Sequence, residues 1–98
     1  MRLKLVLKKQ WYDLIDKGIK KEEYRDNTQY YRNIFWDECC CWKDYDEVTF
    51  YHGYATDRPS MTFKIKDIML RNYGLPEWGW PENDMEERFV VILGKRIQ

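Results

Sequence analysis

Alternation of apolar and polar side chains constrains the fold of this 98-residue chain more than any other feature. Apolar residues recur at every second position in residues 3–8, 48–51 and 61–66. A period of two places successive side chains on opposite faces of a β-strand, so each stretch is typical of a strand with one buried face. Residues 88–95, "RFVVILGK", contain a continuous apolar run, which is typical of a strand buried on both faces. The pattern predicts four or five strands, including an antiparallel hairpin built from 48–51 and 61–66.

Two short segments follow the period of a helix instead. In residues 8–17, Trp11, Leu14 and Ile15 fall on one helical face, and a glycine follows as a stop signal. A second apolar stripe runs from residue 30 to about residue 36, and Asp26, Asn27 or Thr28 can cap the helix that it predicts. Strands at this spacing with two short helices favour an α+β fold. We expect a small, partly closed mixed β-barrel with two short helices, formed by the whole chain as one domain.

The charge of the chain limits the class of ligand. Lys and Arg number 17, as do Asp and Glu, so the formal net charge is zero. Affinity for long nucleic acids comes largely from neutralising phosphates, and a neutral chain lacks that general attraction. Lys and Arg are concentrated in residues 1–25, whereas residues 26–60 are acidic. This distribution favours a small ligand or a short single strand over a long duplex.

The three cysteines are consecutive, at positions 39–41. Adjacent cysteines pair only with strain, and no second group of metal ligands accompanies them, so neither a disulfide nor a zinc site is expected. We expect one or two of them to pack as small hydrophobic residues in a reducing cytosol, with a reactive thiol as the alternative. The N-terminal apolar run is too short for a signal peptide and no segment resembles a membrane span. The predicted location is the cytoplasm, with no cofactor, metal or membrane partner.

Residues 18–25, "GIKKEEYR", place charged side chains where the pattern requires a strand. In a strand over 20–25, Glu23 and Arg25 share one face with Lys21, and Lys20 lies on the other. One hypothesis is a solvated edge strand whose charges discourage edge-to-edge association. The other is that Lys20, Glu23 and Arg25 converge at the mouth of the barrel. Glu23 would then hold a cation by a charge-assisted hydrogen bond, leaving donors for a ligand.

The same residues carry a family resemblance. "LVLKKQWYDLIDKGIKKEEYR" resembles the opening of ASCH domains, small β-barrels of the PUA-like superfamily, whose signature is matched here by Gly18, Lys20, Glu23 and Arg25. The aromatic helix that follows, together with "FYHGY", "EWGWP" and "FVVILG", resembles a small bacterial and phage-associated ASCH subgroup. These segments cover most of the chain. The resemblance implies a PUA-like barrel with a cleft at this signature.

The resemblance also implies a function. ASCH and PUA-like domains are linked to RNA, nucleotides and modified nucleosides, so the favoured prediction is a binding domain for such a ligand. One bacterial branch hydrolyses N4-acetylcytidine with a lysine and a threonine of this segment and a later glutamate. Lys20 matches that lysine, Glu23 occupies the threonine position, and Glu77 or Glu82 is the candidate for the glutamate. Amide hydrolysis with Lys20 as the catalytic residue is the alternative.

Several further residues are predicted to contact a ligand. Aromatic rings stack on bases, and the turn near residue 53 and the loop 73–81 are rich in them. A third hypothesis is that the loop 73–81 binds a protein partner. For the cleft we predict that Lys20→Ala weakens ligand binding without unfolding the domain. The predicted ligand-binding residues are Lys20, Lys21, Glu23, Arg25, Tyr51, His52, Tyr54 and Trp78.

Overall fold

The computed structural model describes all residues from 1 to 98. The chain forms five strands, two α-helices and one short 3-10 turn. In chain order they are β1 (Arg2–Leu7), α1 (Lys9–Asp16), β2 (Glu22–Asp26), α2 (Gln29–Phe35), β3 (Glu47–His52), β4 (Ser60–Arg71), the 3-10 turn (Pro76–Trp78) and β5 (Arg88–Arg96). Neither α-helix has the length and apolarity needed to cross a membrane.

The five strands form one mixed sheet in the order β1-β3-β4-β5-β2. β1 runs parallel to β3, and every other neighbouring pair is antiparallel. The register of β4 against β5 shifts between Phe63 and Asp67, and such irregularities increase the bend of a sheet. The sheet therefore curls into a half-barrel. This confirms the predicted α+β fold, the hairpin of β3 and β4, and the two short helices.

The edge strands β1 and β2 face each other across an open seam of the half-barrel. They do not pair, but the Arg25 guanidinium on β2 donates a hydrogen bond of 2.9 Å to the Val6 carbonyl on β1. A side chain thus replaces part of the ladder that would close a full barrel. The seam is the place where the sheet leaves main-chain groups unpaired.

The core lies on one face of the curled sheet. Alternate positions of β1 are buried, as its period of two predicts. Both helices contribute to the core, α1 through Tyr12 and Ile15 and α2 through Phe35. Twelve buried residues form the core, namely Leu3, Leu5, Leu7, Tyr12, Ile15, Phe35, Val48, Phe50, Met61, Phe63, Phe89 and Val91.

The expectation that one or two cysteines are buried is wrong. All three are exposed, free thiols on a tight turn. Asp37 organises the turn, because its carboxylate accepts the N–H groups of Cys39 and Cys41 at 2.9 and 3.0 Å. The turn lies outside the core because its flanking residues, Trp36 and Trp42, form a β-bridge with each other and cover the core themselves.

Candidate functional site

A cleft of about 400 Å³ opens at the seam, between the end of β1 and β2. Its volume lies within the range of pockets that hold small molecules. Both helices and the loop around the 3-10 turn complete its walls. The lining residues are Val6, Leu7, Lys8, Trp11, Glu23, Tyr24, Arg25, Asp26, Tyr31, Trp78 and Gly79.

Three residues of the charged segment form a continuous ion-pair chain beside this cleft. One carboxylate oxygen of Glu23 lies 3.2 Å from Lys20 Nζ, and the other accepts hydrogen bonds from Arg25 Nε and Nη2 at 2.9 and 2.6 Å. The predicted convergence therefore occurs, although Lys20 was expected on the opposite face. The reason is that β2 begins only at Glu22, so Lys20 is outside the strand and free to turn inward.

Lys20 is enclosed and does not line the cleft. It is 2% exposed, and its ammonium donates a hydrogen bond to the Trp78 carbonyl. The rings of Trp11 and Tyr24 lie 5.1 and 4.9 Å from Nζ, within cation–π distance. Burial lowers the pKa of Lys20, and the neighbouring Glu23 carboxylate opposes that shift. Lys20 therefore contacts Glu23 and the Trp78 segment, and its ammonium does not reach the cleft.

Arg25 is the cation of this ion-pair chain that does line the cleft. Besides Glu23 and Val6, its Nη1 donates to the Tyr31 hydroxyl at 2.8 Å. Four of its five N–H groups are thereby used, which leaves one N–H on Nη1. Burial lowers the pKa of Arg25, but Glu23 and Tyr31 together raise it above its ordinary value. Arg25 therefore remains charged and offers one free donor.

Tyr31 provides a second free hydrogen-bond donor in the cleft. Its oxygen accepts the bond from Arg25, so its own O–H proton remains available to donate. The Arg25 guanidinium also lies 5.6 Å from the Tyr31 ring. The two side chains thus present an N–H and an O–H donor next to each other in the cleft.

A second ion pair holds the aromatic loop over the site. The Arg71 guanidinium donates two hydrogen bonds to Glu22, at 2.6 and 3.1 Å, and this contact holds the pKa of Glu22 below its ordinary value. Tyr24 donates to Glu22 and accepts the Leu75 N–H at 3.1 Å, and burial is the main cause that raises the pKa of Tyr24 to about 12. The loop is also locked by close packing, since a Cβ on Gly74 would lie 2.9 Å from the Tyr24 ring.

Four predicted ligand-binding residues lie elsewhere. Lys21 is exposed, and its carbonyl accepts the Leu93 N–H. The end of β3 is separated from the seam by β1, so the aromatic turn there does not reach the cleft. Tyr51 packs against the Arg58 guanidinium, His52 packs against the Tyr12 ring, and Tyr54 is 83% exposed.

The structure also bears on the glutamates considered for catalysis. Glu77 and Glu82 are exposed, and neither lines the cleft. Of the carboxylates in and next to the charged segment, Glu23 contacts Lys20 and Glu22 pairs with Arg71. Asp26 lines the cleft and contacts Arg88 at 3.1 Å. The carboxylate in contact with Lys20 is therefore that of Glu23, three residues later.

Lys8, Trp11 and Tyr31 line the cleft but were not predicted there. Trp11 and Tyr31 fall on apolar helical stripes, and an aromatic residue on such a stripe gives the same pattern whether it faces a core or a cleft. The one signal that pointed to Tyr31 is its phenol, because a buried Tyr usually needs a hydrogen-bond partner. Nothing in the sequence distinguishes Lys8 from other exposed lysines.

Comparisons with protein-family models, with curated proteins and with solved structures give no match to this chain.

Proposed function

We propose that the cleft binds a nucleotide, a modified nucleoside or a short single-stranded RNA. A base would lie against the aromatic walls, and Arg25 and Tyr31 would donate hydrogen bonds to its oxygen or nitrogen acceptors. Stacking on aromatic rings and hydrogen bonding to base edges are the usual means of recognising unpaired bases.

One observation carries this proposal. Arg25 and Tyr31 bond to each other at 2.8 Å and each keeps one free donor, within a cleft that Trp11 and Trp78 also line. Glu23 fixes the guanidinium through two hydrogen bonds, so its orientation is set before a ligand binds. Preorganised donors reduce the entropic cost of binding.

We infer that the chain is an ASCH domain of the PUA-like superfamily. The inference rests on the signature residues Gly18, Lys20, Glu23 and Arg25, and the half-barrel fold is consistent with it. Three free cysteines fit a reducing compartment, so we place the protein in the cytoplasm.

A titration of tryptophan fluorescence tests the binding proposal. The panel consists of nucleosides, nucleotides, N4-acetylcytidine, and short single-stranded RNA and DNA. Because Trp11 and Trp78 line the cleft, a bound base is expected to change their emission saturably. Arg25→Lys should weaken binding, since the three N–H groups of one ammonium cannot reproduce the four bonds of the planar guanidinium and still leave a donor for the ligand.

Arg58→Lys is the matched control for that variant. Arg58 also packs on a tyrosine, Tyr51, but it does not line the cleft. Equal affinities for wild type and Arg58→Lys, with a loss in Arg25→Lys, would support the cleft as the binding site. Absence of any saturable change across the panel would overturn the proposal.

Amide hydrolysis of an acylated nucleoside is the second candidate function. It is favoured by the 3.2 Å contact between Lys20 and Glu23 and by the burial that lowers the pKa of Lys20. The ammonium is enclosed, so this function requires the Trp78 segment to move away. Loss of the N4-acetylcytidine absorbance on incubation with the protein would favour it, and unchanged absorbance with saturable binding would favour the binding domain.

A protein partner at the loop 73–81 is the third candidate. Tyr73 and Leu75 are exposed, whereas Trp80 is buried against Tyr24 and Trp78 is half-buried. Only part of the aromatic loop is therefore available to a partner. Tyr73→Ser combined with Leu75→Ser should abolish such an interaction and leave nucleoside binding unchanged.

A further inference from the structure

The outer edge of β1 presents main-chain groups to the cleft. β1 pairs with β3 on one side only, and the Met1 carbonyl accepts from Asp46 on that side. Because the N–H and C=O of successive strand residues point alternately to the two sides, the odd-numbered residues of β1 bond to β3. The even-numbered residues point to the seam. The bond from Arg25 to the Val6 carbonyl confirms this orientation.

The N–H of Lys8 is the clearest of these unpaired groups. Lys8 follows β1 as the N-cap of α1, with φ −67° and ψ 153°. Its carbonyl accepts the N–H groups of Trp11 and Tyr12, but its own N–H has no hydrogen-bond partner in the protein. Lys8 lines the cleft and, as an even-numbered residue that continues β1, directs its N–H to the seam, so this donor belongs to the wall of the cleft.

Val6 supplies an acceptor two residues before this donor. Its carbonyl accepts one bond from Arg25, and a carbonyl oxygen has a second lone pair. In extended backbone the carbonyl of one residue and the N–H of the next but one lie on the same edge. Val6 and Lys8 therefore form an acceptor–donor pair along the wall of the cleft.

The charges around the cleft favour a neutral partner for this pair. Lys8 and Arg25 are balanced by Glu23 and Asp26 among the lining residues. Four of the five Arg25 donors are used within the protein. A phosphate prefers several free cationic donors, whereas a neutral heterocycle with adjacent donor and acceptor atoms matches a main-chain edge.

We propose that the main chain of β1 reads the hydrogen-bonding edge of a nucleobase, with the Lys8 N–H as donor and the Val6 carbonyl as acceptor. The inference rests on the proposed binding function and names the part of the ligand that is recognised. In this proposal Lys8 binds the ligand through its main-chain N–H, independently of its side chain.

Substitution of Lys8 by proline removes this one N–H and so tests its role. The φ of Lys8 equals the value that proline imposes, the preceding Leu7 is extended, and no protein hydrogen bond is lost. Lys8→Pro is therefore expected to fold with an unchanged or higher melting temperature. Lys8→Ala is the matched control, because it also removes the side chain but keeps the N–H. The probes are adenosine, guanosine, cytidine, uridine and N4-acetylcytidine, with ribose 5-phosphate as the phosphate control.

The expected result is that at least one nucleoside binds the wild type and Lys8→Ala, and that Lys8→Pro binds it about tenfold more weakly. Equal affinity in Lys8→Pro and Lys8→Ala would overturn the inference and leave the proposed function intact. Binding of ribose 5-phosphate without any nucleoside would also overturn it, because the cleft would then hold phosphate. Failure of all five nucleosides would overturn this inference. Failure of the nucleotides and single strands of the wider panel as well would overturn the proposed function.

Amide chemical shifts of the wild-type protein give a second test that needs no variant. On addition of the bound nucleoside, the amide resonance of Lys8 should shift more than that of Leu5, whose N–H points to β3. An unmoved Lys8 amide, with shifts at the Trp11 and Trp78 side chains, would place the ligand in the cleft without the proposed contact.

Discussion

The Glu23 carboxylate lies 3.2 Å from the Lys20 ammonium, and both side chains are almost completely buried. A buried charge is tolerated only when it is paired and hydrogen-bonded, and here Glu23 has a second cation in Arg25. Removing one member of such a pair leaves the others uncompensated. Lys20 thus belongs to the architecture of the site, where it joins β2 to the Trp78 segment.

Lys20→Ala is therefore expected to destabilise the protein. The free energy of unfolding should fall by about 3–5 kcal/mol, the usual cost of breaking a buried ion pair. This reverses the expectation from the sequence, which placed Lys20 in the cleft as a ligand contact. Urea denaturation measures the change. Lys21→Ala is the control, because the Lys21 side chain is exposed and should be replaceable without loss. Equal stability of the two variants would show that the ion pair contributes nothing.

Tyr31→Phe should weaken ligand binding through the loss of one hydroxyl group. The ring remains, but the acceptor for Arg25 Nη1 and the free O–H donor of the cleft both disappear. We expect affinity for the bound nucleoside to fall about tenfold and stability to fall by about 1 kcal/mol. Fluorescence titration and thermal unfolding measure the two effects.

Tyr30→Phe provides the comparison for that variant. Tyr30 is the preceding residue on α2, is 69% exposed and makes no side-chain hydrogen bond to the cleft residues. Loss of the Tyr30 hydroxyl should change neither the affinity for the nucleoside nor the stability of the protein. A similar decrease in both variants would show that the hydroxyl of Tyr31 has no particular role.

Much of the fold follows from local patterns. The period of two in β1 and the hairpin of β3 and β4 are encoded in nearest-neighbour alternation, and Thr28, one of three candidate residues, caps α2. The parallel pairing of β1 with β3 is not encoded locally. It depends on contacts between residues about 45 positions apart, which no short pattern contains.

The candidate site, like the fold, could be predicted only where local patterns determine it. Glu23 and Arg25 are two residues apart on one strand, so alternation alone places them together. Lys20 was put on the wrong face because the start of β2 at Glu22 depends on tertiary pairing with β5. Trp11 reaches the cleft from α1, and its role depends on which elements pack around it, not on its own sequence context.

The exposure of the cysteine turn predicts unrestricted thiol reactivity. Cys39, Cys40 and Cys41 are all exposed and free, so a chromogenic aromatic disulfide should titrate three thiols in the folded protein without denaturant. Addition of urea should reveal no further thiol. A native titration of fewer than three, completed only on unfolding, would restore the original expectation that some of them are buried.

Glu22 should make the free energy of unfolding depend on pH in the acidic range. Its hydrogen bonds from Arg71 lower its pKa below the ordinary 4.5, so the folded state binds fewer protons there than the unfolded state. The stabilisation is complete above about pH 4.5 and is lost as the pH falls through the lowered pKa of the folded state. Glu22→Gln lacks this titration. It should be about 1–2 kcal/mol less stable than wild type at neutral pH, because a charge-assisted pair becomes a neutral one.

The difference between wild type and Glu22→Gln should shrink as the pH is lowered toward 2, whereas their stabilities should diverge again on return to neutrality. Glu77→Gln is the control, since the Glu77 side chain is exposed and forms no ion pair, and it should follow the wild type at every pH. Because Glu22 also accepts from Tyr24, which in turn holds the Leu75 N–H, acid should release the aromatic loop as well. Tryptophan emission should then change over the same pH range as stability. A constant stability difference across the titration would mean that Glu22 is protonated equally in both states and that Arg71 does not hold the loop through its charge.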